Sequence, residues 1–453
     1  MVPHPPLRTR LASLLGLVLL AATPAASAAE PLNVLFVLLD DVGVDKVGAW
    51  GAGPGAGPTP VIDALVAEGV AFRNASAMPL CSPTRVSTLT GRLPGRTGVG
   101  DAVKWNGAAG PFTPDPGASV SLPELVSRSG WATAAVGKWH ICQESDDDPF
   151  GNPPTWGFDV HVGSIANMNY DGGDYFAWTQ NTAWDGGHAQ EPAAGYLTTR
   201  QVDDALAAID AFGDTPWFVW LALSAPHKPL HVPPDHLHTQ GDLEGAGDPE
   251  LFRAVMEAAD TELGRLLASL PRQTRQRTVV IVMGDNGTYK SAMEPPFGVD
   301  KHHKNHVYEG GTNVPLVVAG PGVASGWSDA LVSCTDIYAT VAELAGLSVP
   351  PGSAEDSLSF ARSLTDPAGP GRRRTMVVEK FTPNGFGLAV DWQKAARDGR
   401  YKLVRLNSFT QEFYDLQADP HEQDNLLGLG TPPLTAPQQA AFAKLIQVLA
   451  AAP

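Results

Sequence analysis

Two acidic turns carry the first chemical signal in this chain. Asp40-Asp41 follow the apolar run Val34–Leu39, and Asp285-Asn286 follow Val279–Met283 and a glycine. Three carboxylates brought to one place repel one another unless a proton or a cation intervenes. Together with the Asn286 amide the donors are all oxygens, which suits a hard ion, Ca²⁺ or Mg²⁺, and not zinc. A single acidic pair after a strand also fits a helix cap or a solvated turn. The second pair, at the end of a second strand, turns the reading toward a metal site with Asp40, Asp41, Asp285 and Asn286 as ligands.

The second signal is Cys81-Ser82-Pro83-Thr84-Arg85. Pro83 suits the first turn of a helix, which puts Cys81 at or just before the amino end, where free N–H groups favour anions. Arg85 then shares a face with Cys81, and Arg92 lies further along the same stripe. A buried structural cysteine beside a helix fits the same residues. Cations and imidazoles follow at Lys138 and His140, at His227, and at Lys304. Taken singly, Lys138 or His227 fits an ordinary surface or hydrogen-bonded residue. His302, His303 and His306 crowd Lys304 and are read as lining the pocket or facing solvent. Tyr170, Tyr175, Trp178 and Trp184 offer aromatic faces for a sugar or aryl group, or pack their own loop.

The elements that must position these residues are legible in outline. Val34–Leu39, Thr133–Val136, Phe218–Leu223, Val279–Met283 and Leu316–Val318 read as strands of a buried, mostly parallel sheet. Helical patterns lie between them, at Tyr196–Phe212, from an Asp248-Pro249 cap to Leu270, and at Thr335–Leu344. Strands alternating with helices imply an α/β layered fold, in which ligands sit at the carboxyl edge of the sheet. Asp40-Asp41, Lys138 to His140, His227 and Asp285-Asn286 all fall at that edge. The stretches 51–60, 144–156, 164–195 and 288–311 read as long irregular walls around it. Beyond a Pro/Gly/Arg-rich segment, Met376–Val378, Tyr401–Arg405, Glu412–Leu416 and a helix over Gln438–Ala450 suit a small antiparallel sheet with a closing helix.

Composition bounds the rest. Among 453 residues, 43% are hydrophobic and 17% charged, which describes a soluble globular protein. Arg8 and Arg10, the run LASLLGLVLLAA and Ala26-Ser27-Ala28 read as a secretory leader, so an exported protein, periplasmic or secreted, with no stable membrane insertion is expected. Loss of residues 1–28 removes two arginines and no acids, moving the formal charge from −17 to −19. Nucleic acid is then excluded as a partner, because phosphate binding needs a positive surface. Cys81, Cys142 and Cys334 are an odd set; the last two either pair or are buried free thiols. The expected organisation is a leader over 1–28, a catalytic α/β domain over 29–350, a linker over 351–374 and a C-terminal subdomain over 375–453.

Cys81-Ser82-Pro83-Thr84-Arg85 followed by Leu89-Thr90-Gly91-Arg92 resembles the signature of the type I, formylglycine-dependent sulfatases, arylsulfatase-like members of the alkaline phosphatase superfamily. The resemblance extends through Asp40-Asp41, Gly137 to His140, Ala225-Pro226-His227, Gly284 to Gly287, and Lys304 ahead of Tyr308 to Gly311. Tyr414-Asp415-Leu416, Asp419-Pro420 and Asn425-Leu426 resemble the family's C-terminal subdomain, and Thr84 stands where the family commonly has serine. The resemblance implies an alkaline-phosphatase-like α/β fold with a small C-terminal α+β subdomain. It implies a sulfate ester, aryl or carbohydrate, as substrate, Ca²⁺ as the cofactor with Mg²⁺ as alternative, and formylglycine made from Cys81 by a maturation enzyme. It further implies that Arg85, Lys138 and Lys304 hold sulfate oxygens, that His227 protonates the departing alcohol and that His140 is the base. Ser164 and Asn167 are two candidates for a further sulfate contact. Rival expectations are a phosphonate or phosphate ester hydrolase of the same superfamily, and a non-catalytic protein that recognises sulfated glycans.

Overall fold

Among the described residues the chain builds fourteen strands, ten in one sheet and four in another. In chain order the first ten are β1 (Asn33–Leu39), β2 (Val70–Ser76), β3 (Ala132–Gly137), β4 (Val160–Gly163), β5 (Ala177–Trp184), β6 (Gly187–Ala194), β7 (Trp217–Leu223), β8 (Thr278–Gly284), β9 (Leu316–Ala319) and β10 (Gly326–Ser333). The last four are β11 (Met376–Thr382), β12 (Asp391–Arg397), β13 (Tyr401–Leu406) and β14 (Thr410–Asp415). This computed structural model describes residues 32–107, 112–170, 172–297, 301–407 and 409–453, so the leader expected over 1–28 lies outside the described residues. None of the described helices is long and apolar enough to cross a membrane.

The large sheet has the order β10-β2-β9-β8-β1-β7-β3-β4-β5-β6. Its centre, β8-β1-β7-β3-β4, is parallel throughout, so the carboxyl ends of these strands emerge along one edge. β1 explains why the sheet is two-sided. All seven of its residues are buried, with Val34, Phe36 and Leu38 packed into one layer and Leu35, Val37 and Leu39 into the other. A period of two with apolar residues on both faces is what a central parallel strand requires. Helices Leu197–Phe212 and Asp248–Ser269 cover one face. The other carries helices Cys81–Thr90 and Asp336–Leu344 and the small antiparallel sheet β11-β12-β13-β14, against which helix Ala436–Ala451 closes.

Some sequence expectations are corrected. Residues 164–195, read as irregular, contain the β5–β6 hairpin, whose second strand is exposed almost throughout and so lacks the apolar run that marks a strand. Asp248 is the first residue of its helix and not its cap; its carboxylate pairs with Lys228 at 3.0 Å instead. Residues 351–374 carry the short helix Ala361–Thr365, and Arg373 Nε donates to Asp336 Oδ2 at 2.8 Å.

Candidate active site

Each turn at the carboxyl edge has a local reason for its shape. β3 ends at Gly137, whose φ of 95° and close approach to the Ala222 carbonyl, 2.0 Å from where a Cβ would stand, exclude any side chain. The chain then turns through Lys138 and Trp139 to His140, a non-glycine residue at φ 63°. Asp41 after β1 is likewise at φ 69°. Such left-handed conformations cost on the order of 1–3 kcal/mol each and persist only where the surroundings impose them. Here they are imposed: His140 N–H donates to the Ile165 carbonyl at 3.0 Å, and Asp41 N–H to Asp285 Oδ1 at 3.0 Å.

The Cys81 helix begins at Cys81 itself, with Pro83 in its first turn, where a missing N–H leaves no bond unmade. Thr84 stitches the approach to it: Oγ1 accepts the Met78 N–H at 3.0 Å and donates to the Leu80 carbonyl at 3.1 Å. All ten residues are buried, and the helix stops at Gly91 in the left-handed region. Arg92 therefore lies beyond the helix and pairs with Glu355 at 2.9 Å, which corrects its expected place on the Cys81 face. Cys81 Sγ stands 3.1 Å from His140 Nδ1, and Ser82 Oγ donates to the His140 carbonyl at 2.7 Å. Burial pushes the Cys81 thiol above its ordinary value. A thiol so placed resists becoming the thiolate that thiol chemistry needs.

The charged residues converge below Cys81. Fully buried Arg85 donates through Nη1 to the Lys138 carbonyl at 2.5 Å and through Nη2 to Asp285 Oδ2 at 3.0 Å, with Asp40 Oδ2 at 3.6 Å. Lys138 Nζ lies 2.5 Å from Asp40 Oδ2. Lys304 Nζ bonds Asp41 Oδ1, and His227 Nε2 is 3.9 Å from Asp41 Oδ2. Burial works to raise Asp40, but the charges of Lys138, His227, Arg85 and Lys304 outweigh it and hold that carboxyl well below its usual range. For Asp285, burial together with the charge of Asp40 wins and drives it upward. Burial, then Lys138 and Arg85, push His140 well below its ordinary value, which favours the neutral imidazole. Burial, then Lys138, lower His227 to about 4.

The donor set fits a hard cation. Asp40 Oδ1 and Asn286 Oδ1 are buried without a hydrogen-bond partner, a costly condition that a ligated ion removes. The Asn286 amide is oriented by donation from Nδ2 to Asp41 Oδ1 at 2.8 Å and to the Gly287 carbonyl at 3.0 Å, which leaves its oxygen free. Single ligand atoms of Asp40, Asp41 and His227 lie within 4.8 Å of one another, as do those of Asp40, Asp285 and Cys81. Asp40, Asp41, Asp285, Asn286, Cys81, Arg85, Lys138, His140, His227 and Lys304 are thus gathered at one sheet edge.

Other expectations sort differently. His302 stacks on Tyr308 with centroids 4.2 Å apart, His303 Nδ1 meets the Lys304 carbonyl, and His306 Nδ1 meets Gln393 Nε2 at 3.3 Å, so these rings brace the loop. Trp178 and Tyr175 are buried packing residues and Tyr170 lies against Trp105, whereas Trp184 is exposed. Cys142 and Cys334 are free, so they do not pair. Two residues singled out in the sequence for other reasons also hold the backbone of the site. Tyr175 bonds the carbonyls of Ser224 at 2.6 Å and His227 at 2.8 Å and so fixes the turn that carries His227. Ser164 follows β4, with its carbonyl holding the Trp139 N–H at 2.9 Å and its buried hydroxyl unpartnered; Asn167 Oδ1 is also buried without a partner.

Comparison with known proteins agrees with this geometry. A family model described as sulfatase matches residues 32–347, and one described as N-sulphoglucosamine sulphohydrolase, C-terminal, matches residues 299–446. The chain is 28% identical over 326 residues to the uncharacterized sulfatase YdeN of Escherichia coli, covering 68% of this chain and 57% of that relative. It is 29% identical over 365 residues to human N-acetylgalactosamine-6-sulfatase, covering 75% of this chain and 67% of the relative. The fold matches that of Ps i-CgsB in complex with k-i-k-neocarrahexaose with a TM-score of 0.75 at 22% identity, covering 93% of this chain and 92% of the other. It also matches BT4656 in complex with its substrate D-glucosamine-2-N,6-O-disulfate, with a TM-score of 0.71 at 20% identity, covering 93% and 97%. With one such model spanning more than half of its residues and carrying the carboxylates, the Cys81 helix and Lys304, the chain belongs to the sulfatase family, the sulfuric ester hydrolases.

Proposed function

We propose that this protein hydrolyses sulfate esters of carbohydrates, with Cys81 as the precursor of formylglycine and Ca²⁺ held by Asp40, Asp41, Asp285 and Asn286. The observation that carries the reading is the position of Cys81, its Sγ 3.1 Å from a neutral imidazole and within 4.8 Å of carboxylate oxygens of Asp40 and Asp285. Formylglycine supplies a carbonyl hydrate that can accept and release sulfate, and the cation supplies Lewis-acid stabilisation of the charge that develops. Arg85, Lys138 and Lys304 provide three cations in a nearly water-free setting, where their pull on sulfate oxygens is strong. Ser164, whose carbonyl holds the Trp139 N–H, offers a buried, unpartnered hydroxyl as a further contact. His140 accepts a proton at Nδ1, the nitrogen that faces residue 81. His227 presents Nε2 to the departing alcohol, because its Nδ1 is engaged with the Lys228 carbonyl at 2.7 Å. Burial keeps it neutral until an anionic substrate enters and favours its proton; Lys304 is the second donor.

A carbohydrate substrate is supported by the relatives, among them N-acetylgalactosamine-6-sulfatases from four other mammals, of which the rat enzyme is 31% identical over 366 residues. The leader expected over residues 1–28 makes the protein an exported one, and an enzyme of the host that oxidises Cys81 is its maturation partner. Mass spectrometry of the peptide spanning residue 81, from protein made in its own host, tests the precursor role; an intact thiol in active protein rejects it. Catalytic efficiency on aryl sulfate, sulfated N-acetylhexosamine, phosphate and phosphonate esters tests the substrate. A preference for phosphorus would transfer the protein to the rival hydrolase class, and binding of sulfated sugar without turnover to the non-catalytic one.

A further inference from the structure

Three loops meet behind the carboxylates: residues 40–45 after β1, residues 285–288 after β8, and the 302–311 loop that carries Lys304. They pack backbone against backbone, so that a Cβ on Gly287 would stand 2.0 Å from the Gly310 carbonyl oxygen. Thr288 is fully buried and bonds to both of the other loops. Its Oγ1 accepts the Gly43 N–H at 3.1 Å and donates to Asp45 Oδ1 at 2.8 Å, while its carbonyl accepts the Lys304 N–H at 2.8 Å. The hydroxyl therefore ties the turn bearing Asp40 and Asp41 to the turn bearing Asp285 and Asn286. The same residue's carbonyl anchors the loop at Lys304.

We infer that Thr288 is a positioning residue whose hydroxyl fixes the spacing between the two turns that carry the cation ligands, while its carbonyl anchors Lys304 to them, so that loss of the hydroxyl lowers cation affinity and, through it, substrate turnover. The inference rests on the metal and sulfate roles given above. It is specific to the hydroxyl: valine has the same shape but would leave the Gly43 N–H and the Asp45 carboxylate facing a methyl group, both buried and one bond short.

Calorimetric titration with Ca²⁺, kinetics on an aryl sulfate and thermal melts of the calcium-free protein, applied to the wild type, Thr288→Val and Thr288→Ser, test it. Thr288→Val is expected to weaken Ca²⁺ binding by about 10-fold or more and to lower kcat/KM by at least as much, the range seen when outer-shell partners of a metal site are lost. Thr288→Ser, which keeps the hydroxyl, restores both. Should Thr288→Val not fold, Thr288→Ala, which leaves room for a water, is read the same way. A valine or alanine variant with wild-type cation affinity and kcat/KM and only a lower melting temperature overturns the inference, as does a serine variant as impaired as the valine one. A wild type that turns over aryl sulfate but binds no Ca²⁺ overturns the cation cage and this inference together, leaving the sulfatase reading in place.

Discussion

The protein buries two clusters of opposite charges, and they are built on different plans. In the C-terminal cluster Arg397 Nη1 meets Glu309 at 2.7 Å and its Nη2 meets Asn74 at 2.8 Å. Lys402 bridges Glu309 at 2.9 Å and Glu422 at 3.0 Å. Burial works to raise Glu309, but Arg397 and Lys402 prevail and keep it below its ordinary value. The charges of this cluster are spent on one another. In the catalytic cluster the charges of Asp40, Asp41 and Asp285 also face those of Arg85, Lys138 and Lys304, yet Asp40 Oδ1, Asn286 Oδ1 and Arg85 Nε are left without partners. Buried ion pairs are weak evidence of stability or of function by themselves. Glu422 Oε1 of the C-terminal cluster also lacks a hydrogen bond but still faces Lys402 at 3.0 Å, whereas Asp40 Oδ1 and Asn286 Oδ1 stand unmatched at one sheet edge, and that difference separates the two clusters.

The largest expected effect sets the two apart at once. Cys81→Ala should lower kcat by about 10⁴-fold or more while leaving the melting temperature near that of the wild type; residual turnover beyond that limit, measured on aryl sulfate, would remove Cys81 from the chemistry. Asp285→Asn should cost about 100-fold or more in kcat/KM and a comparable factor in Ca²⁺ affinity, with a melting temperature for the calcium-free protein that barely moves. In the wild type the same carboxyl gives a pH signature. Its raised pKa means that the folded protein holds the proton above the ordinary carboxylate range, so apparent Ca²⁺ affinity should fall as pH drops through that window and stay flatter in the variant.

Lys402→Met should show the opposite profile. It leaves Glu309 and Glu422 with one buried cation fewer and should cost about 3–5 kcal/mol in urea denaturation, with the activity of the folded fraction preserved. A loss of kcat/KM without a loss of stability would show that the C-terminal cluster belongs to the site after all. His161, outside both clusters, provides a scale for acid lability. Burial lowers it to about 4 from an ordinary 6.5, and Asn181 Nδ2 lies 3.3 Å from its Nδ1. Its folded form binds a proton less tightly than the unfolded chain. Its contribution is therefore fully present above pH 6.5 and lost as pH falls to 4, by about 3 kcal/mol, and His161→Gln should remove that part of the slope. The smallest effect is expected from Glu422→Gln. Burial raises Glu422 more than Lys402 lowers it, so the wild type loses stability as pH rises through the raised value. The variant should flatten that decline, which falls between the ordinary 4.5 and the raised value of about 7, as read by urea denaturation across that range.

What could be read ahead of the fold follows the same physics. Central strands such as β1 and β8 are apolar on both faces, and the polar residues that end them can only stand at the sheet edge; hence Asp40, Asp41 and Asp285 were legible. The exposed strand β6, with its GHAQEPAA sequence, has no core to face and gave no such mark. β12 was missed for a similar reason, since its buried positions include Gln393 and Arg397, which serve the Lys304 loop and the C-terminal cluster and not an apolar core. Thr288 and Tyr175 act through hydrogen bonds to distant backbone, and no spacing rule announces a partner far away along the chain. Arg92 was misplaced because the helical stripe of Cys81 and Arg85 was carried as far as Arg92, past Gly91, whose left-handed conformation ends the helix.

The ten buried residues that begin at Cys81 also impose a schedule. Once the sheet and its layers have closed, side chain 81 is 2% exposed, too little for a second protein to seat around it. On the role proposed for Cys81, an oxidising enzyme would have to read Cys81 to Arg85 as an extended peptide, during or soon after synthesis. Conversion and folding would then compete for the same newly made chain, and the yield of active protein would be set by which of them reaches that segment first.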